Sequence, residues 1–279
     1  GNATGLLKLD GTAIQTSWDA GTRTLTGYGT SVSDVVFTIV LSAPTDTGAG
    51  YTMTLLQPVQ HSVSGTEDNT APFTVNVVVT DSDGSTGNTS FTVVIDDDIP
   101  VAVNDGLQGT FAEAVSGADL GLASSVLLGN DKYGADGAAA SGSLTIAAGS
   151  LGGTVTIDGL GHLIYTNTSH NVINGATDTE TFTYTIKDGD GDTTTATFTV
   201  DLTDSGVTMG AAPANLIADE DDIPVTGNHD VAAGDDVAVT MGTISYTLGS
   251  DHIGSVALST AGNATGLLKL DGTAIQTSW

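Results

Sequence analysis

Three stretches of this sequence crowd carboxylates closely enough to act together: "DDDIPVAVND" (96–105), "DGDGD" (188–192) and "DEDD" (219–222). In the second, the D-x-D-x-D spacing of Asp188, Asp190 and Asp192 around two glycines aims the side chains at a common centre. In the first, Asp96, Asp97 and Asp98 repel one another, the following Pro100 keeps the chain extended, and Asn104 and Asp105 add oxygen donors. Oxygen donors at such density suit Ca²⁺, which takes about 6–8 oxygen ligands at about 2.3–2.6 Å. The competing reading is a solvated acidic linker followed by ordinary hairpin turns. A second D-x-D turn carries Asp81 and Asp83, and its expected counterpart is Asp219, Glu220, Asp221 and Asp222, reached only across copies of a repeat. Asn130, Asp131 and Asp136 in "NDKYGAD" form a third candidate, partly neutralised by Lys132.

Other chemistry has little to stand on, and a non-catalytic protein is expected. The histidines at 61, 162, 170, 229 and 252 lack zinc-type spacing and are expected in turns or at the surface. No nucleophile elbow or phosphate-cradling loop with Lys is present. Carboxylate pairs alone would allow glycosidase chemistry. Here, however, they sit in turns and linkers, and aromatics make up only 5% of the chain. Trp18 and Trp279 are expected to fill sandwich cores. With no cysteine, neither disulfides nor thiolate metal sites contribute. A net charge of −28, from 33 acidic against 5 basic residues, makes nucleic acid and anionic membranes poor partners. No apolar run reaches the roughly 18 residues of a membrane helix, and the first residues lack the basic start of a signal peptide.

The elements that must position these carboxylates read as strands. Period-two alternation recurs at 23–28, 35–41, 51–56, 73–80, 89–95, 143–147, 154–157, 162–166, 179–186, 193–202, 243–248 and 255–259. Gly, Asp and Asn clusters separate the runs, the pattern of antiparallel sandwiches. Only "GLASSVLLGN" (121–130) could hold a helical turn. Residues 73–98 and 182–205 align from Asp81 and Asp188 onward, each reading strand, acidic turn, strand, acidic exit. In a sandwich closed by such a hairpin, its turn lies at the end where the chain comes in. Asp188, Asp190 and Asp192 should therefore meet the linker 96–105. The fold class expected is all-β: tandem Ig-like sandwiches joined by acidic linkers.

The phrase "GNATGLLKLDGTAIQTSW" occupies both 1–18 and 262–279, a repeat period of 261 residues. Internal repetition of this kind precedes any fold assignment. The division expected is 1–98, the later part of one sandwich; 99–213, a complete sandwich; and 214–279, the first part of the next. The chain then reads as a window on a tandem array. Tail and head are complementary parts, joined by continuity or by head-to-tail association of separate chains.

"LLQPVQHSVSGTEDNTAPFTVNVVVTDSDG" (55–84) resembles the repeats of giant type I-secreted, RTX-type bacterial adhesins, and "ADEDDIPV" (218–225) is similar to the start of that repeat. "SVLLGND" (125–131), "GTVTI" (153–157) and "FTYTIKDGDGDTTTATFTV" (182–200) resemble cadherin-like or VCBS-type domains. The glycine-rich nonapeptide of the secretion-proximal end is absent, so the resemblance is to the extender region. It implies an extracellular structural spacer on a bacterial surface, stiffened by Ca²⁺. Its partners would be neighbouring repeats, and the ligand of the adhesive tip, used in attachment and biofilm formation, would lie outside this segment. A glycan- or cell-binding module and a self-assembling filament subunit are the alternatives.

Overall fold

A computed structural model describes residues 2–61, 70–214 and 241–258, with Lys269, Thr273 and Ile275. The chain divides into two compact units, residues 1–170 with 178–202, and residues 171–177 with 203–279.

The first unit begins with an antiparallel meander of five strands: β1 (Asn2–Leu7), β2 (Ala13–Asp19), β3 (Thr24–Tyr28), β4 (Val35–Leu41) and β5 (Tyr51–Leu55). The hairpin β6 (Thr70–Thr80) and β7 (Thr86–Asp96) packs across it. The interior strand β4, "VVFTIVL", is almost wholly apolar and largely β-branched, and is buried at Val36, Phe37 and Ile39. Val36, Phe37 and Ile39 meet Leu6, Ile14, Ala71, Phe73 and Ile95 in one core, with the Phe37 and Phe73 rings 4.9 Å apart. Gly27 on β3 is required there, because a Cβ would enter the Phe37 ring. Lys8 holds both oxygens of Asp34 at 2.8 and 2.9 Å, and Gln57 Nε2 donates to the same carboxylate, fixing the start of β4.

The same unit contains a second sandwich. One sheet has the order β10 (Leu144–Ile146), β13 (Thr177–Lys187), β14 (Thr193–Thr203) and β8 (Leu107–Ala112). The other has the order β11 (Thr154–Ile157), β12 (His162–Asn167) and β9 (Val115–Leu122), and α1 (Ala123–Val126) follows β9. The alternating Phe182, Tyr184 and Ile186 of β13 and Phe198, Val200 and Leu202 of β14 are fully buried. Phe182 stacks on Phe198 at 5.0 Å and meets Tyr165 edge-on at 5.7 Å. Buried aromatics of this size contribute about 1.5–3 kcal/mol each by area alone. Glu180 continues the inward face of β13 and is also fully buried. Tyr165 Oη at 2.6 Å, Asn167 Nδ2 and the amides of Leu151 and Gly153 all donate to it, which offsets its desolvation.

The second unit contributes β15 (Thr208–Met209) paired with β16 (Tyr246–Thr247) among the described residues.

The expected all-β class and the short helical turn are observed. Alternation alone misses β1, β2, β8 and β9; in β1 and β9, Gly5, Gly117 and Gly121 at positive φ and register shifts break the period. The run expected at 243–248 shrinks to the two residues of β16, and residues 255–258 form no strand. Trp18 is a correction: it shares the inward face of β2 with the buried Ile14 but sits at the open end of that face, 49% exposed and outside the closed core. Trp279 lies outside the described residues.

Candidate metal centre

The turn between β13 and β14 is built by its own carboxylate. Asp188 N donates to Asp192 O, while Asp188 Oδ1 accepts the amides of Gly191 at 3.1 Å and Asp192 at 2.7 Å. Gly191 sits at φ +116°, where an L side chain is strained. Gly189 admits another strand of chain: a Cβ there would lie 2.6 Å from the Asp136 carbonyl oxygen. The loop carrying Asp136 is stitched to this turn by a bridge between Ala138 and Asp188 and by Ala139 N donating to Lys187 O. Its other end is tied to the linker, since Ala135 N donates to Asp98 Oδ2 at 2.9 Å.

The linker arrives from β7. Strand alternation leaves Asp96 exposed and turns Asp97 inward, 5% exposed. The segment after β5 is anchored by Gln60 N donating to Leu7 O, and it delivers His61 into the same place. His61 N donates to Asp190 Oδ2 at 3.4 Å, and His61 Nε2 lies 3.3 Å from the Ile95 carbonyl. A carbonyl only accepts, so a hydrogen bond at this contact requires the proton on Nε2. His61 Nδ1 then lies 3.1 Å from Asp97 Oδ1 and 3.8 Å from Asp190 Oδ2 without hydrogen-bond geometry to either. A bare Nδ1 lone pair facing two carboxylates is repulsive unless a proton or a cation lies between them.

Three overlapping trios result, each with ligand atoms within 4.8 Å of one another: His61, Asp97 and Asp190; Asp97, Asp98 and Asp136; Asp136, Asp188 and Asp190. Asp192, fully buried, stands beside them. Asp97 Oδ2, Asp136 Oδ2, Asp188 Oδ2 and Asp190 Oδ1 are buried and accept no hydrogen bond. Burial, followed by the charge of Asp190, pushes Asp97 up to about 6. Burial and the charges of Asp190 and Asp188 push Asp136 up to about 7. Asp188 is raised to about 6, chiefly by burial, against the lowering effect of the two turn amides. Without a cation, these groups meet their mutual repulsion only by holding protons.

Of the residues expected at this junction, the structure brings together Asp97, Asp98, Asp188, Asp190 and Asp192. Asp96 points to solvent. Asn104 and Asp105 belong elsewhere. The linker is diverted by a bridge between Val101 and Lys132 and runs beside β14, where Asn104 Oδ1 accepts from Thr197 N and Oγ1. Asp105 accepts from Asn130 Nδ2 and from Tyr184 Oη at 2.9 Å. The expected trio of Asn130, Asp131 and Asp136 is divided. Asp131 accepts Val103 N and faces Tyr184 Oη, whereas Asp136 joins the junction. Lys132 contributes its backbone, and its exposed side chain makes no ion pair among the described residues.

Asp81 and Asp83 are exposed, their oxygens taken up by Ser85 and by the turn itself. Their expected counterparts, Asp219–Asp222, lie outside the described residues, as does His229. His61 overturns the expectation that every histidine sits in a turn or at the surface: its side chain is 4% exposed. "PVQHS" has no metal-ligand spacing, so nothing local in the sequence marked it.

The carboxylates that meet at this centre come mostly from one sandwich and the linker leading into it. Residues 97–201 match the bacterial Ig domain family. The matched segment begins at Asp97 and contains every carboxylate of the centre, so His61 is the contribution of the preceding sandwich. No curated protein matches the sequence. The match supports an Ig-like repeat of a bacterial surface protein, a structural class without catalytic chemistry. Among the described residues, no helix is long and apolar enough to cross a membrane.

Proposed function

We propose that the junction between the two sandwiches binds Ca²⁺ and that this bacterial Ig-like repeat serves as a stiffened spacer in a surface adhesin. The observation that carries the reading is the set of four buried carboxylate oxygens without hydrogen bonds, drawn from the linker, the 134–139 loop and the β13–β14 turn. Six carboxylates face a shared space, an arrangement in which oxygen-rich hard-cation binding is favourable. Trios that share Asp97, Asp136 and Asp190 suit two adjacent ions bridged by common carboxylates. His61 is the one nitrogen donor, at the end nearest the first sandwich, where a transition metal would compete best.

Such an ion would tie the linker and the turn of the second sandwich to a residue of the first, removing bending freedom between them. An adhesin projecting its tip from a cell needs such stiffness, and the resemblance to type I-secreted, RTX-type repeats fits that role. Low cytosolic Ca²⁺ would leave the junction loose for export, and millimolar external Ca²⁺ would set it. The test is calcium titration by calorimetry, together with small-angle scattering, on the chain and its Asp190→Asn variant. Binding coupled to a stiffer particle, lost in the variant, supports the reading. No heat and an unchanged scattering profile in millimolar Ca²⁺ would overturn it.

A further inference from the structure

Calcium coordination leaves one buried donor at the junction without a role. His61 brings the one nitrogen among the clustered ligand atoms, and its side chain is 4% exposed. Ca²⁺ is satisfied by oxygens, whereas imidazole suits d-block ions such as Zn²⁺. A histidine buried against carboxylates therefore points to an ion of a different kind.

The ring is held by the first sandwich. Val59, two residues before it, is buried in that core, and Gln60 N donates to Leu7 O. His61 Nε2 lies 3.3 Å from the carbonyl of Ile95, a core residue of β7, and Asp97 follows the end of the same strand. An imidazole that ligates a metal through one nitrogen almost always gives its other N–H to such an acceptor, which fixes tautomer and ring orientation. Nδ1 is then the ligand atom, with Asp97 Oδ1 at 3.1 Å and Asp190 Oδ2 at 3.8 Å. Neither oxygen is placed to accept a hydrogen bond from Nδ1. Both flank the lone pair, as ligands do around an ion seated on its axis. With Zn–N and Zn–O bonds of about 2.0–2.2 Å, a tetrahedral N···O edge is about 3.4 Å, between the two separations observed.

Asp190 divides between the two ends of the cluster. Its Oδ2 faces His61, and its buried Oδ1 has no hydrogen bond. At the far end Asp136 and Asp188 offer oxygen alone, each with a buried Oδ2 that accepts no hydrogen bond.

We propose that the junction holds two unlike ions: a zinc-class divalent cation on His61, Asp97 and Asp190, and Ca²⁺ on Asp136, Asp188 and Asp190. The inference rests on the calcium reading for the occupant of the oxygen-only end. Of these ligands, His61 alone belongs to the first sandwich, so the zinc-class ion is the one that ties one sandwich to the other. The supply of that metal, beside calcium, then sets how firmly the joint is held.

The test is a Zn²⁺ titration of the full chain in millimolar Ca²⁺, followed by calorimetry and by nitrogen NMR of the histidine side chains. The expected result is a Zn²⁺ ion that Ca²⁺ does not displace, with the His61 Nδ1 resonance shifted by zinc and unmoved by calcium. His61→Ala should weaken that binding by about tenfold or more, since it removes the one nitrogen ligand. The histidines at 162, 170, 229 and 252 mark any zinc held elsewhere. The NMR measurement uses the unsubstituted chain, so it decides even where His61→Ala fails to fold. Zinc that leaves His61 Nδ1 unshifted, or binds His61→Ala equally well, overturns the proposal. So does a chain that takes up no zinc in the presence of calcium. Zinc held on His61 with no heat from calcium alone removes the calcium reading and leaves the His61 site standing.

Discussion

Hairpins β6–β7 and β13–β14 have strands of equal length, alternate in the same way and turn through D-x-D sequences at matching positions. Their surroundings differ. β13–β14 is flanked by β10 and β8, and its inward face is buried from Glu180 to Ile186 and from Ala196 to Leu202. β6–β7 has no flanking strand among the described residues, and its inward face opens beyond Phe73. The turns diverge in the same way. Asp188 and Asp192 are fully buried against the linker and the 134–139 loop, while Asp81 and Asp83 stay in solvent. The difference teaches that a D-x-D turn is only half of a cation site. The other half is a body that buries it and brings further carboxylates to face it.

The largest expected effect separates the two hairpin faces. Phe182→Ala should destabilise its sandwich by about 3–5 kcal/mol, because the stacked Phe198 and edge-on Tyr165 leave a cavity that cannot collapse. Val77→Ala, on the open face, should cost under about 1 kcal/mol. Urea unfolding of both variants measures the gap. Comparable losses would mean that the open face is closed in solution.

Next is the contrast between turns. Asp188→Asn or Asp190→Asn should weaken Ca²⁺ binding by about tenfold or more, since each removes a charge from the shared centre. Asp83→Asn should change it less than about twofold. Calorimetry decides, and equal effects from the two turns would erase the distinction drawn between them.

The pH dependence sharpens the same comparison. In the cation-free native state Asp97, Asp136 and Asp188 hold protons up to about 6, 7 and 6, whereas the unfolded chain releases them near the ordinary value of 3.8. Between pH about 4 and 7 the native state thus binds more protons, and its stability falls as pH rises. Ca²⁺ binds the deprotonated form, so its stabilising effect should grow across that window. Melting temperatures at pH 5 and pH 8, in chelator and in calcium, check both signs. A chelated protein that melts higher at pH 8 than at pH 5 would contradict the buried cluster.

The smallest effect belongs to Asp96. Its side chain points to solvent between two inward neighbours, so Asp96→Asn should leave calcium affinity within about twofold, in contrast to Asp97→Asn. Parallel titrations of the two variants measure the contrast.

What the sequence by itself determined is what depends on near neighbours along the chain. Side chains in a strand alternate with a period of two, so Val35–Leu41 and Thr154–Ile157 could be read to the residue. The glycines at 189 and 191 and the spacing of Asp188, Asp190 and Asp192 likewise specify a tight, carboxylate-lined turn locally. Strands broken by bulges and glycine, such as β1 and β9, escaped this reading because register is a property of two strands and not of one. The tertiary structure alone decided which carboxylates meet. Asp105 follows the linker to Tyr184, Asp136 crosses to the turn because Gly189 leaves room for its backbone, and His61 arrives from another sandwich. Burial and charge act through space, and contacts across 129 residues, such as that of His61 with Asp190, leave no mark in local spacing.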